Sequence, residues 1–206
     1  MTHSLYRHGN AGSLHDDYVM LILTSVDRMK DPGVRDKMRE AWDILSSHGS
    51  DLTNFGSIRG GGRHQKSFEE FKKEDKFLIH AVFKDRETLK ACLEEIKRKD
   101  LGLSVAVSGL FDEVKKTCHE IGLTPHTVQY SLGISGKTEL LPDERVLEVT
   151  TMCGHAMVSP NLIAHLIEKI GRKKMTHTEA AMELSRQCEC GIFNPARAER
   201  LLREMV

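Results

Sequence analysis

Between residues 18 and 121 short apolar runs alternate with segments whose apolar residues recur at helical spacing, and this alternation constrains the fold most. Residues 18–24 form a continuous apolar run rich in β-formers, of the length of a buried strand. Asp31 and Pro32 then open a helix over 32–47, with Val34, Met38, Trp42 and Leu45 on one face and Gly49 closing the segment. Residues 52–59 and 77–83 read as further strands, and the charged stretch 69–76 between them as a solvated helix or linker. An amphipathic helix over 86–99 carries Leu89, Cys92, Leu93 and Ile96, and a short strand follows at 103–107. Leu110, Val114, Cys118 and Ile121 stripe the next helix, which Gly122 ends; 127–132 and 145–150 read as two more strands.

This order predicts an α/β (α+β) fold: a mixed sheet with helices packed mainly on one face, ferredoxin-like or a related sandwich. The C-terminal part changes character. Ser159-Pro160, the Thr176/Glu179 pair and Asn194-Pro195 are each helix-opening signals, and apolar residues at helical spacing follow each. The expected organisation is an α/β domain over 1–150 with an N-terminal polar loop, and a three-helix, cysteine-containing subdomain over 151–206.

Thirty basic residues balance thirty acidic ones among 206, so no global field favours nucleic acid or an anionic membrane. The apolar runs are too short to span a bilayer and no basic-plus-apolar segment opens the chain, which predicts a cytoplasmic protein. Five cysteines is an odd number, and in a reducing compartment metal binding or free thiols are the live readings.

Three of those cysteines, Cys153, Cys188 and Cys190, fall in expected turns beside helix starts, where backbone N–H groups and positive helix ends favour thiolates. Gly154 and Gly191 follow thiols directly and would let the backbone approach a cofactor and donate to its sulfurs. Cys188-Glu189-Cys190 is tight for a zinc knuckle, and three thiolates would leave one iron of a [4Fe-4S] cluster open for a fourth ligand. His155 is the competitor for that position. Zinc is the alternative metal, and cysteine as apolar filler the plain alternative. Cys92 and Cys118 sit on helix stripes and read as buried free thiols.

Arg59, Arg63 and Lys66 surround three glycines together with His64, an arrangement suited to an anion, although the Gly-Lys-Ser/Thr ending of a P-loop is missing. Arg7, His8, His15 and Asp16 in the N-terminal loop would add polar groups if that loop folds back; a loose terminus is the alternative. His80, inside an apolar strand, reads as a core histidine.

The resulting expectation is an iron–sulfur or other metal-thiolate enzyme acting on a small anionic substrate by lyase, hydratase or sulfur-transfer chemistry. Cys153, Cys188 and Cys190 would be ligands, Arg7, Arg59, Arg63 and Lys66 would hold the anion, and His155, His8 or His64 would move a proton. The alternative is a non-catalytic binding or regulatory module stapled by zinc or a closed cluster. A homo-oligomer is compatible with either.

Overall fold

The computed structural model describes residues 6–58 and 60–206. Five strands, β1 (Tyr18–Leu23), β2 (Leu52–Ser57), β3 (Gly61–Gly62), β4 (Leu78–Phe83) and β5 (Ser104–Ser108), form one sheet in the order β3-β2-β4-β1-β5. Helix α2 (Pro32–Ser47) connects β1 to β2, and α4 (Arg86–Lys99) connects β4 to β5. Leaving aside the two-residue β3, these are two interleaved β-α-β units, the ferredoxin-like layout.

Every pairing is antiparallel, so the expected mixed sheet is corrected. The reason is the interleaving. Each crossover skips one position, and the strand that fills the gap belongs to the other unit and runs the opposite way.

Local signals explain the elements. Asp31 caps α2 by accepting from the Gly33 N–H, Pro32 occupies the first turn, and Val34, Met38, Ala41, Trp42 and Leu45 are buried. Ser67 and Glu70 form a reciprocal capping box on α3 (Phe68–Lys72), within the charged stretch expected as helix or linker. Helices α1 (Ala11–Leu14) and α5 (Phe111–Glu120) complete the first part.

Two expected strands are absent. Residues 127–132 form no ladder, and Val128, Tyr130 and Leu132 are exposed. Residues 145–150 lie in a helix, α6 (Glu144–Thr150), whose cap is Asp143 accepting from the Arg145 N–H. Val146 and Val149, three apart, both pack into the C-terminal core, which a helix allows and the two-residue alternation of a strand does not.

Alternation along β1 and β4 decides what covers each face of the sheet. Tyr18, Met20, Ile22, Ile79, Ala81 and Phe83 join Trp42, Leu45, Leu89 and Leu93 of the helices in the main core. Val19, Leu21, Leu78 and Val82 face the other way and pack with Ile192, with Cys190 partly buried against them. The C-terminal helices α7 (Pro160–Gly171), α8 (His177–Gln187) and α9 (Pro195–Met205) have a core of their own. The turn between α8 and α9 docks on the second face of the sheet. Among the described residues no helix is long and apolar enough to cross a membrane.

Candidate functional site

Cys153 lies just beyond the end of α6, where a strand was expected; Cys188 caps α8, and Cys190 lies in the turn before α9. Two turns present the thiols. The Ala156 N–H donates to the Cys153 carbonyl at 3.0 Å with Ala156 at φ +56°, and the Gly191 N–H donates to the Cys188 carbonyl at 3.0 Å with Gly191 at φ +72°. The Cys188 and Cys190 sulfurs are 3.6 Å apart, and Cys190 Sγ lies 3.7 Å from His155 Nδ1. The Cys153 and Cys188 side chains interact as well. Cys153 and Cys188 are buried, Cys190 is half-buried and His155 is exposed.

Backbone N–H groups reach all three sulfurs: those of His155 and Met157 at Cys153, Phe193 at Cys188, and Ile192 at Cys190. These donors come from beyond the glycines rather than from Gly154 and Gly191. Gly154 sits half-exposed in its turn, and Gly191 serves the close approach described below.

The thiols differ in acidity. Cys153 is pushed up by its bond with Cys188 and by burial. The bond from Cys153 pulls Cys188 down, but the bond with Cys190 and burial outweigh it and leave that thiol raised. Cys190 is lowered, by the hydrogen bond from Cys188 first, with the Ile192 N–H and the Arg7 charge adding to it. Cys92 and Cys118 are buried and stand apart from this set; burial pushes Cys92 up to about 12 and raises Cys118.

The thiol turn touches the sheet through glycines. A Cβ on Gly191 would lie 2.6 Å from Gly62 Cα, and a Cβ on Gly56 would lie 2.9 Å from the Cys190 carbonyl oxygen. The Gly60 loop and the cysteine turn therefore meet. Asn54 of β2 fastens the contact: its Nδ2 donates to the Phe193 carbonyl at 2.9 Å, and its Oδ1 accepts from the Arg63 N–H at 3.1 Å. His80 of β4 lies fully buried beneath the turn, and neither ring nitrogen has a hydrogen-bond partner among the described residues. Burial holds its pKa down to about 4, against the upward pull of the nearby Gly191 and Cys190 backbone groups.

The N-terminal segment does fold back. Arg7 donates to Asp17 Oδ2 at 3.1 Å, the Thr151 carbonyl at 3.3 Å and the Ile192 carbonyl at 2.9 Å. The His8 N–H donates to Thr151 Oγ1 at 2.9 Å, while its ring Nδ1 faces Tyr6 Oη at 3.1 Å. Asp17 also receives Asn194 Nδ2 at 3.0 Å and Arg197 Nη1 at 2.9 Å.

Among the described residues, Arg63 and Lys66 do not converge on a shared anion site. Arg63 donates to the Gly49 and Leu52 carbonyls and lies 5.9 Å over the Phe55 ring. Lys66 pairs with Glu74 and lies 5.6 Å over Phe71. His64 is partly buried, lowered in pKa by that burial and by Arg186, and its Nδ1 has no partner among the described residues. Arg59 lies outside the described residues.

Sequence reasoning missed Asn54, Asp17 and Arg197, and read Asn194 as the cap of α9 without its tie to Asp17. Asn54, a polar residue inside the apolar pattern of β2 and two positions before Gly56, carried a readable signal.

Chemically the arrangement offers three soft thiols and one imidazole as near neighbours. Among the described residues no three His, Cys, Asp or Glu side chains already surround one point as an ion cage. No family model, no curated protein and no solved structure matches the chain, so its function is argued from the chemistry of this site.

Proposed function

We propose that the chain carries a mononuclear metal-thiolate centre of the zinc class, with Cys153, Cys188, Cys190 and His155 as ligands. The centre staples the C-terminal helices and fixes their turn on the sheet. The observation that carries this reading is the spacing of the donors. Two thiolates on one tetrahedral ion at Zn–S of about 2.3 Å stand about 3.8 Å apart, and a thiolate and an imidazole about 3.6 Å apart. Cys188 and Cys190 are 3.6 Å apart, and Cys190 is 3.7 Å from His155 Nδ1. The tight Cys-x-Cys spacing is thus compatible with one ion. In this reading Cys153 and His155 turn toward the ion to complete the set.

The N–H donors to the sulfurs support the same reading, because they stabilise thiolate at each position. Binding expels the thiol protons. With His155 as fourth ligand the coordination shell is complete, as in structural rather than catalytic zinc sites. The reading requires reduced thiols and hence a reducing compartment such as the cytoplasm.

The iron–sulfur enzyme reading rests on the same thiols but is supported less well. Thiolates on different irons of a cubane stand further apart than two ligands of one ion, and Arg63 and Lys66 are engaged away from any shared anion pocket.

Metal analysis of the full chain purified under reducing, oxygen-free conditions tests the proposal. One zinc per chain, lost on chelation together with cooperative unfolding of the C-terminal helices, is expected. Iron with acid-labile sulfide and visible absorbance would establish the cluster instead; a metal-free chain that refuses added zinc would dispose of the zinc centre, and one that also stays colourless after anaerobic reconstitution with iron and sulfide would dispose of both.

A further inference from the structure

Resting on the zinc-class reading, we propose that the N-terminal segment, through Arg7, is a clamp that sets the separation of the two cysteine-bearing turns. Docking of this segment and metal occupancy then stabilise each other.

Arg7 is a positioning residue in this scheme. Its guanidinium reaches the carbonyl of Thr151, two residues before Cys153, and that of Ile192, two residues after Cys190, at 3.3 and 2.9 Å. One planar group thus ties together two turns that the chain separates by the whole of α7 and α8. Its Nε is anchored on Asp17, and the Arg7 side chain is only 6% exposed. Asp17 in turn is held by Arg197 and by Asn194, the cap of α9. The clamp is therefore rigid at both ends. His8 adds a second tie, its N–H on Thr151 Oγ1.

Charge points the same way, through where the Arg7 guanidinium sits, on carbonyls two residues along the chain from Cys153 and from Cys190. Three thiolates on a divalent ion leave one net negative charge, and Arg7 supplies a positive one held on the carbonyls of both cysteine-bearing turns. Lysine would keep the charge but lose the forked reach to both carbonyls. Since the two turns must be close for the ion to bridge them, whatever holds them together strengthens metal binding. By linkage, the metal must strengthen the docking of the segment to the same degree.

The test compares zinc affinity of the full chain, measured by competition with a chromophoric chelator, for wild type, Arg7→Gln and Arg7→Lys. Arg7→Gln is expected to weaken zinc about ten-fold or more, the usual effect of removing a group that orients metal ligands, with Arg7→Lys recovering part of the loss. Because Arg7→Gln can fail to fold, amide exchange across residues 6–17 is followed in wild type with and without zinc. Slower exchange with zinc supports the clamp. A folded Arg7→Gln with wild-type affinity, or exchange in 6–17 indifferent to zinc, overturns the clamp and leaves the centre standing. A wild-type chain that takes up no zinc overturns the centre itself, and the clamp with it.

Discussion

Arg197 Nη1 donates to Asp17 Oδ2 at 2.9 Å across 180 positions of sequence, and both side chains are fully shielded from solvent. The Arg197 Nε donates to the Ser13 carbonyl, and Nη2 is shared among the His8 carbonyl, Ser13 Oγ and Glu148. A charge buried this completely is tolerable only with its partners, and removing Arg197 takes from the buried Asp17 one of its two guanidinium partners, Arg7 being the other, and empties a fully packed site. Arg197→Ala should cost about 3–5 kcal/mol of unfolding free energy in urea titration. Arg203→Ala, which breaks the exposed pair with Glu199, should cost no more than about 0.5 kcal/mol. Equal effects of the two substitutions would mean that the buried network is not what ties the N-terminal segment to α9.

Gly191 is fixed by two independent constraints, a φ of +72° and a Cβ position 2.6 Å from Gly62 Cα. Backbone rather than a flexible side chain would have to move. Gly191→Ala should therefore destabilise by more than about 2 kcal/mol, the left-handed conformation alone accounting for about 1. Gly171, where a Cβ meets nothing within 4 Å, is the comparison: Gly171→Ala should be neutral or stabilise by up to about 1 kcal/mol. A Gly191→Ala protein with a wild-type denaturation midpoint would show that the turn and the sheet are not in the contact described.

His80 makes stability depend on pH. An unfolded chain protonates this imidazole near pH 6.5, whereas burial in the fold holds its pKa down to about 4. Between those values the unfolded state binds the proton and the native state does not, so stability falls as pH drops from about 6.5 to about 4 and is intact above that window. The contribution is of the order of 3 kcal/mol, at 1.36 kcal/mol per tenfold change in proton affinity. Replacing the side chain by a non-titrating one, His80→Leu, should flatten this part of the profile when unfolding is compared at pH 7 and pH 5. Identical pH slopes in the two proteins would contradict a neutral buried His80.

The five cysteines should sort into two groups. Cys153→Ser, Cys188→Ser and Cys190→Ser should each lower zinc affinity by orders of magnitude, since each removes a ligand. Cys92→Ala and Cys118→Ala should leave one zinc bound, because those thiols are buried away from the turns with raised pKa values. Stoichiometry measured on the five variants checks this, and loss of zinc from the Cys92 or Cys118 variant would dissolve the division.

The two β-α-β units were legible because each level of signal agreed. Asp31-Pro32, the stripe from Val34 to Leu45 and Gly49 all say one helix, and Pro32–Ser47 is that helix. Residues 145–150 misled because Val146, Val149 and Thr150 are good strand formers; the Asp143 cap and the helical core decided otherwise. Residues 127–132 alternate as a strand should, but β5 pairs only with β1 and no ladder forms along them.

At the site, the grouping of Cys153, Cys188, Cys190 and His155 could be anticipated from turns and glycines. The roles of Arg63 and Lys66 could not, because local carbonyls, aromatic rings and Glu74 engage their charges first. Nor could Arg197, whose partner Asp17 leaves no trace in local pattern.

X-ray absorption at the zinc edge, on the full chain loaded with one equivalent of zinc under reducing conditions, examines the central claim most directly. The account predicts a first shell of three sulfurs at about 2.3 Å and one nitrogen at about 2.0–2.1 Å. A shell of nitrogen and oxygen alone, or a chain that instead acquires iron with bridging sulfide, would contradict it.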